Sequence, residues 1–487
     1  MQNEMKKITE ELHEFEKSNY FALMGYKSNG FRLWPCLRTM LFLEIRRKKL
    51  EMTEPYRSTI SIPFWRTRFG LKMLSSIRSR NPFCAKHSKY EFVILSSAGL
   101  RRALINNRKF DVIYDFITPF LSSTPIFIES HVNLKHKPPE YSEDVAYREY
   151  ITLFGYLKYR RLDDVSSIEK FLLFTREKIH ERFAFYTFDL KLYKQKIIKD
   201  LVETLMFKQF LHKWKTKVMF VNCASYGRSH AFVCKMCKEL GISVVEFQHG
   251  FANNYHPAYS YPNCDEHYLK YLPDYYLTFG EYWNNELRNL PVKKIAIGNP
   301  GLEYHINDSS NEIGKHNRQR ILFISDGTYG ISFQDLALEL LRLIPEDKFE
   351  IVFRPHPGER VLAKERYKKI VSSGKITLDM NENVYSSLKL SDHVVGIGST
   401  VIFEAVAFEK EIHILRSVLS NTNIPSFIGM LFSDASELRE QIINSEIGSR
   451  MSGNSVNRDY LWERNWKHNL SEFLQDLGQP RKKELKT

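Results

Sequence analysis

A histidine between two prolines ends an apolar run in the segment FRPHPGE, residues 353–359. The prolines restrict the backbone, so the imidazole of His356 is held with little loss of conformational entropy. An imidazole donates to phosphate oxygens, and the guanidinium of Arg354 can do so through two parallel hydrogen bonds. The segment therefore predicts that Arg354 and His356 bind a phosphate group, with a solvated turn as the alternative.

A second candidate phosphate-binding segment is VGIGSTVIFEAVAFE, residues 395–409. Gly398 allows a ligand to approach the backbone closely, and Ser399 and Thr400 stand where a helix begins. A helix N-terminus favours an anion, and the two hydroxyls add donors. Glu404 follows Thr400 by one helical turn, where its carboxylate can accept from ribose hydroxyls. We expect Ser399 and Thr400 to bind a donor phosphate, and Gly398 and Glu404 to contact the nucleotide.

A third polar segment, LFISDGTYG at residues 322–330, follows another apolar run. Asp326 and Gly327 stand where the chain leaves this run, so we expect them to contact the nucleotide as well. A plain turn is the alternative, because Asp and Gly are common turn residues.

In the first half of the chain, the segment VVEFQHGFANNYHPAYSYP at residues 244–262 combines amides, aromatics and histidines. Sugars present hydroxyl edges and flat apolar faces, which amides and aromatic rings can bind. Gln248, Asn253 and His256 are therefore predicted to bind an acceptor. His249 directly follows the apolar run, and we expect it to act as a general base, with a buried structural histidine as the alternative.

The neighbouring segment NCASYGRSH, residues 222–230, follows another apolar run. Because the carboxyl ends of parallel strands meet at one edge of a sheet, this segment should border the same site. Tyr226 and Arg228 are therefore predicted to bind the acceptor too.

Two series of short apolar runs must position these segments. Such runs are typical of buried parallel strands, and the intervening stretches have helical patterns. The two series predict an α/β protein with two doubly wound, Rossmann-like domains facing a cleft. The runs are residues 91–97, 111–117, 125–130, 218–225 and 243–250 in the first series, and 320–325, 349–355, 375–379, 393–397 and 411–415 in the second.

The expected domain boundaries follow from these series. We predict a basic, helical and aromatic arm at 1–90, an acceptor domain at 91–290 with a helical insert at about 140–212, and a nucleotide-donor domain at 291–457. Residues 458–487 should form a long amphipathic helix and a basic tail.

Several classes of protein are excluded by missing motifs. The chain has no Asp-x-Asp pair to hold a metal, no GxxxxGK[ST] loop and no GxGxxG after a strand. We therefore expect no metal and no cofactor. The six cysteines are too few and too scattered for a disulfide framework in a chain of 487 residues.

The net charge of +14 is concentrated at one end. Residues 1–90 hold 18 Lys and Arg against 8 Asp and Glu, a balance of +10, so the rest of the chain is nearly neutral. This favours an anionic membrane surface over nucleic acid as the partner of the arm. Apolar side chains interleave the basic ones and are expected to lie at that surface: Trp34, Leu41, Phe42, Leu43, Phe64, Trp65, Phe69 and Leu71.

Taken together, the His-Pro at 356–357, the Ser-Thr at 399–400 with Glu404, and the Gln-His-Gly at 248–250 resemble bacterial surface-polysaccharide glycosyltransferases of the GT-B fold. The chain is most similar to capsule and lipopolysaccharide enzymes of the polysialyltransferase and Kdo-transferase types. In those families the His-Pro and Ser/Thr motifs bind the phosphate of a CMP-activated sugar, which implies the same role for His356, Ser399 and Thr400. The acidic base motif of the sialyltransferase types has no clean copy here, so His249 is the expected substitute.

The resemblance implies an inverting, metal-independent transfer of sugar from a CMP- or UDP-activated donor to a surface-polysaccharide or lipid-linked acceptor. The expected location is cytoplasmic and peripheral, at the inner face of the plasma membrane, with other polysaccharide assembly proteins as further partners and no nucleic acid. One alternative is a CDP-glycerol or ribitol type of polyol-phosphate transferase, as in teichoic-acid synthesis. Another is a non-enzymatic membrane- or RNA-binding assembly protein.

Overall fold

The computed structural model of the protein describes most of the chain. The described residues are 2–50, 78–105, 108–132, 134–137, 139–142, 144–159, 162, 164–307, 317–327, 329–381, 383–444 and 458–478. Two compact units contain them: an N-terminal unit with the described residues of 7–50, 78–300 and 465–478, and a C-terminal unit with residues 2–6 and the described residues between 301 and 464.

A seven-stranded parallel sheet forms the centre of the N-terminal unit. Two short antiparallel pairs, β1 with β2 and β4 with β5, lie outside it, and the order of the large sheet is β11-β10-β9-β8-β3-β6-β7. The strands are β1 Lys27–Ser28, β2 Phe31–Arg32, β3 Phe92–Ser97, β4 Arg101–Ile105, β5 Arg108–Asp111, β6 Ile126–Ser130, β7 Asp144–Tyr147, β8 Val218–Val221, β9 Ser243–Phe247, β10 Tyr275–Thr278 and β11 Lys293–Ala296.

Three helices of this unit and strand β7 fall within or overlap the region predicted as a helical insert at about 140–212. The helices are α1 Gln2–Gly25, α2 Trp34–Lys49, α3 Tyr114–Ile117, α4 Arg148–Lys158, α5 Val165–Arg182, α6 Leu190–Trp214, α7 Ser229–Glu239, α8 Glu266–Leu269 and α9 Glu281–Glu286. The strand predicted at 111–117 is wrong. The Asp111 carboxylate accepts the N–H groups of Ile113 and Tyr114 at 3.0 and 2.9 Å, and this local pairing turns the chain into α3.

Helix α2 packs into the core of the N-terminal unit. Trp34, Leu41 and Phe42 are at most 1% exposed there, so their expected place at a membrane surface is wrong. Leu43 is half-buried, and Phe64, Trp65, Phe69 and Leu71 lie outside the described residues. No helix in the described part of the chain is long and apolar enough to cross a membrane.

The C-terminal unit is built on a six-stranded parallel sheet. Its order is β14-β13-β12-β15-β16-β17, so the chain winds outward from β12 in one direction and then returns to wind in the other. The strands are β12 Gln319–Ile324, β13 Phe349–Arg354, β14 Thr377–Leu378, β15 His393–Gly396, β16 Glu411–Leu415 and β17 Met430–Phe432. Together the two sheets confirm the predicted fold class, α/β with two doubly wound, Rossmann-like domains.

Helices alternate with these strands, and those predicted at 333–344 and 400–409 are confirmed by the helices Gly330–Leu343 and Thr400–Ala407. The helices are α10 Pro300–Asn307, α11 Gly330–Leu343, α12 Ala363–Arg366, α13 Lys368–Ser373, α14 Val384–Lys389, α15 Thr400–Ala407, α16 Val418–Asn423, α17 Ala435–Asn444 and α18 Arg458–Leu461. Phe323, Phe333, Phe353, Tyr367 and Val395 lie in the core between sheet and helices, each 0% exposed.

The single long helix expected near the C-terminus is wrong. The chain forms the short α18 and then α19, Trp466–Asp476, and between them Asn465 has a φ of 59°. A residue in that left-handed region interrupts a right-handed helix, and Asn tolerates the conformation better than most residues.

Two buried histidines join neighbouring strands of the C-terminal sheet. His393 Nδ1 lies 3.2 Å from His413 Nε2, and glutamines contact the other ring nitrogens, Gln319 at 3.1 Å and Gln441 at 3.0 Å. Burial lowers the pKa of His393 to about 3 and that of His413 to about 4, so both rings are neutral in the folded protein.

This pair predicts an acid-sensitive stability. Below the ordinary histidine pKa of 6.5, both histidines become protonated in the unfolded chain but stay neutral in the folded chain. The free energy of unfolding therefore falls as the pH drops toward 4. Each histidine contributes up to about 1.4 kcal/mol per pH unit in this window. Urea unfolding between pH 7 and 4.5 measures the slope. A His393→Leu/His413→Leu double variant should have a smaller slope, and an unchanged slope would contradict the assignment.

Candidate functional site

The carboxyl edge of the C-terminal sheet is the natural place for a ligand in this unit. The winding direction reverses between β12 and β15, which pair directly, and ligands of open α/β sheets bind beyond such a reversal point. Three segments predicted to bind phosphate or nucleotide leave the sheet at this edge. They are residues 325–327 after β12, 355–359 after β13 and 397–400 after β15.

His356 is exposed, and its ring is held by its own turn. The backbone N–H of Gly358 donates to His356 Nδ1 at 3.2 Å, so the proton of the neutral ring is on Nε2. The backbone N–H of His356 donates to Glu359 Oε2 at 2.9 Å. The turn therefore presents a fixed N–H donor, as phosphate binding requires.

The β12 segment lies against this imidazole. Gly327 has a φ of +83°, and a Cβ atom there would lie 3.4 Å from His356 Cγ. Asp326 accepts the backbone N–H of Tyr329 at 3.0 Å, which closes the turn. The structure thus brings together Gly327 and His356, which the sequence placed in separate segments, while the adjacent residue 328 lies outside the described residues.

A buried carboxylate that sequence analysis missed ties these segments together. Glu359 accepts from Ser325 Oγ at 2.9 Å and from the hydroxyl of Tyr367 at 2.7 Å, in addition to the N–H of His356. Burial comes first among the causes that raise the pKa of Tyr367, so its hydroxyl keeps its proton and donates. No spacing in the sequence indicates this role for Glu359, because Ser325 lies 34 residues away.

The β15 segment begins a helix as predicted. Ser399 is the N-cap of α15, and its hydroxyl oxygen accepts the N–H of Val401 at 3.3 Å, which leaves the hydroxyl proton able to donate. Gly398, Thr400 and Glu404 are half-buried, with Glu404 one turn after Thr400. This arrangement can bind an anion at the positive end of the helix.

Arg354 has partners other than those expected from the sequence. It is 4% exposed, and its Nη1 donates to Asp379 Oδ2 at 2.6 Å and to Ser387 Oγ at 2.9 Å. The ion pair lowers the pKa of Asp379 against the opposing effect of burial. Arg354 therefore joins the end of β13 to the segment after β14, which positions the turn of His356.

In the N-terminal unit, three of the predicted acceptor-binding residues have structural partners. Gln248 is buried, accepts the N–H of Phe279 at 2.9 Å and donates to the carbonyl of Gly250 at 3.0 Å. Asn253 is also buried and accepts the N–H of Tyr255 at 3.1 Å.

Arg228, the third, pairs with Asp200 through Nε at 2.6 Å. Burial alone would lower the pKa of Arg228, but the Asp200 carboxylate raises it, so the guanidinium stays charged. The pair ties the turn after β8 to helix α6.

The other three predicted residues do come together. The ring of Tyr226 lies 5.5 Å from that of His249 and 5.1 Å from that of His256, measured between centroids. Cys223 Sγ lies 3.4 Å from His249 Nε2, and burial raises the pKa of this thiol. The thiol is therefore protonated and can donate to the imidazole.

Beneath this cluster lies a carboxyl group that sequence analysis also missed. Glu246 on β9 is 0% exposed, and its Oε2 accepts from the N–H and hydroxyl of Ser225 at 2.8 and 2.6 Å. Burial raises the pKa of Glu246 to about 8, so it is mostly protonated at neutral pH. Its one sequence signal is a lone acid within the apolar run VVEF.

Comparisons with known proteins give structural likenesses only. No protein-family model matches the chain, and no curated protein matches it. The solved structures that resemble it include the MnaA–UDP co-structure from S. aureus, at 14% identity over 80% of this chain and 97% of that chain, with a TM-score of 0.47. The UDP-GlcNAc 2-epimerase from Neisseria meningitidis bound to UDP-GlcNAc is 13% identical over 79% and 98%, with a TM-score of 0.45.

The glycotransferase of kitacinnamycin is 10% identical over 80% of this chain and 100% of that chain, with a TM-score of 0.45. Because these TM-scores lie below 0.5, the likenesses carry no argument about the substrate or the reaction of this protein.

The tight packing around Glu359 predicts the effect of a single methyl group. A Cβ atom at Gly330 would lie 2.2 Å from the Tyr367 hydroxyl and 3.0 Å from Glu359 Oε1. Since Tyr367 is fully buried and cannot move aside, Gly330→Ala should lower the free energy of unfolding by about 1–3 kcal/mol. Urea unfolding measures this change.

Gly25→Ala is the matched control, because Gly25 also lies at a helix end and a Cβ there would have nothing within 4 Å. This control should be neutral or slightly stabilising. Equal effects of the two substitutions would contradict the packing argument.

Proposed function

We propose that the protein is a glycosyltransferase that moves a sugar from a nucleotide-activated donor to a surface-polysaccharide or lipid-linked acceptor. The observation that carries the proposal is the fixed Nε2–H donor of His356, packed against Gly327 at the reversal point of a Rossmann-like sheet. In this position it can bind the phosphate of a bound nucleotide.

The phosphate chemistry of the C-terminal unit supports this reaction. As the bond between the anomeric carbon and the donor phosphate breaks, the electron pair stays on the phosphate oxygen, and negative charge grows there. His356, the hydroxyls of Ser399 and Thr400, and the N-terminus of α15 supply donors for that charge. Glu404 is proposed to accept from the ribose, and Gly398, Asp326 and Gly327 to line the nucleotide.

The acceptor oxygen forms the new bond to the anomeric carbon and loses its proton. We assign that proton to the imidazole of His249 at the end of β9, where Nε2 accepts it in place of the weak hydrogen bond from the Cys223 thiol. Tyr226 and His256 lie beside it and are proposed to bind the acceptor. An acceptor of this class lies at the inner face of the membrane, so we propose that the protein works there.

The proposal predicts large losses of rate without loss of fold. His356→Ala and Ser399→Ala should each lower kcat by on the order of 10²-fold or more, because each removes one donor to the developing charge. Turnover is measured with a panel of CMP- and UDP-sugars, and nucleotide binding by calorimetry. His468→Ala is the control, since His468 is a surface residue, 63% exposed, on α19, and its turnover should equal that of the wild type.

Other outcomes would contradict the proposal in separate ways. Turnover at the wild-type rate in both variants would exclude the phosphate role of His356 and Ser399. Transfer of glycerol phosphate from CDP-glycerol would show a polyol-phosphate transferase, and conversion of a UDP-sugar without any acceptor would show an epimerase. Binding of RNA or vesicles without any transfer would show an assembly protein.

A further inference from the structure

The N-terminal unit contains a second histidine turn of the same construction as that of His356. In His256-Pro257-Ala258, the backbone N–H of Ala258 donates to His256 Nδ1 at 3.2 Å, just as Gly358 donates to His356. The ring proton of His256 is therefore on Nε2, and Nε2 has no hydrogen-bond partner among the described residues. Burial and the nearby Arg46 and His249 lower the pKa of His256, so the ring stays neutral and donates at physiological pH.

A half-buried arginine from α2 lies beside this turn. Arg46 Nη1 donates to the carbonyl of Tyr255 at 2.9 Å, and within the described chain no carboxylate pairs with the guanidinium. Burial lowers the pKa of Arg46 to about 10, which leaves it charged at neutral pH. A guanidinium has five N–H donors, and a partly desolvated charge without a counter-ion is unfavourable. An anion at this place would relieve that cost.

The surroundings of Arg46 and His256 contain donors and cations rather than acids. The ring of Tyr226 packs against His256, and the charged or titratable groups that act on the two residues are Arg47, His249 and Tyr226. The buried acid that acts on Tyr226 is Glu246, and it is mostly protonated. The electrostatic character of the cluster therefore favours a negatively charged ligand.

The turn is also rigid before any ligand binds. Arg38, buried in α2, donates to the carbonyls of Pro257 at 2.6 Å and Ser260 at 2.7 Å, on either side of Tyr259. Donors that are fixed in advance lose little entropy on binding, which raises affinity for a small anion.

We infer that Arg46 and the His256 turn form a second oxyanion site that binds a phosphate group of the acceptor. The ring of Tyr226, which packs against His256, lines this site. This inference rests on the proposed function only in calling the ligand an acceptor; the site itself is defined by the residues of the N-terminal unit. The chemistry is that of a phosphate or pyrophosphate ester, carried either by a lipid headgroup or by a soluble phosphorylated glycan.

The test uses the full chain with nucleotide saturating the C-terminal unit, so that a further anion does not bind at the proposed nucleotide site. Calorimetric titration with inorganic pyrophosphate should then show one site per chain with salt-dependent affinity. Arg46→Gln and His256→Ala should each weaken this binding on the order of 10-fold or more, because each removes a charged or fixed donor. Lys48→Gln is the control, since Lys48 is an exposed cation two residues from Arg46 on the same helix.

Competition experiments with vesicles distinguish the two sources of phosphate. If the ligand is a lipid headgroup, phosphatidylcholine vesicles that contain phosphatidic acid should compete with pyrophosphate, and pure phosphatidylcholine vesicles should not. If neither competes while pyrophosphate binding still needs Arg46, the site takes a soluble phosphate ester.

The failure of this inference is distinguishable from that of the proposed function. Pyrophosphate binding that is absent, or that is unchanged in both Arg46→Gln and His256→Ala, overturns the second site even if nucleotide binding depends on His356. Pyrophosphate binding that requires Arg46 and His256 supports the second site even if no sugar is transferred. Thermal unfolding midpoints of the variants close to that of the wild type exclude loss of fold as the cause.

Discussion

The N-terminal unit depends on one buried charge, the guanidinium of Arg38. It is 0% exposed, forms two hydrogen bonds to the carboxylate of Glu16 at 2.6 and 2.8 Å, and donates to the carbonyls of Pro257 and Ser260. Burial alone would lower the pKa of Arg38, but the Glu16 carboxylate reverses this effect and raises it. Removing one partner of such a pair costs about 3–5 kcal/mol, since the other charge is left buried without compensation. Helices α1 and α2 are thereby joined to the loop that holds His256.

A buried acid has the corresponding place in the C-terminal unit. Glu359 accepts hydrogen bonds from the hydroxyls of Ser325 and Tyr367 and from the backbone N–H of His356. Each unit therefore uses one buried charged side chain to fix a histidine turn, and each turn uses a backbone N–H to hold the ring proton on Nε2. A neutral imidazole held in this way donates to an anion at physiological pH without needing an acidic partner. The same local chemistry thus occurs in both halves of the chain.

Much of the fold was predictable because its central strands are continuous apolar runs. Two strands of the N-terminal sheet that sequence analysis missed lack that pattern. Strand β11 has the sequence KKIA and is half-buried or exposed, as an edge strand can be, and β10 begins with two tyrosines. The strand predicted at 111–117 failed because the side chain of Asp111 caps its own backbone, a local preference that outweighs the apolar character of the residues that follow. The membrane-surface prediction failed for Trp34, Leu41 and Phe42 of α2 for a related reason: amphipathic composition does not distinguish a helix that faces lipid from one that faces a protein core.

The sequence by itself determined the class of the fold. It also determined three features of the proposed phosphate site, namely the histidine turn, the glycines and the helix cap. Each of these depends on residues within a few positions of one another. Tertiary structure alone decided which of the predicted groups have other partners. Arg354 pairs with Asp379 and Arg228 with Asp200, over 25 and 28 residues of chain. It also decided that Arg46 lies beside His256, whose turn it contacts over 209 residues of chain. Hydrogen bonds and ion pairs act over a few ångströms of space whatever the distance along the chain, so only the folded protein shows which side chains remain to bind a ligand.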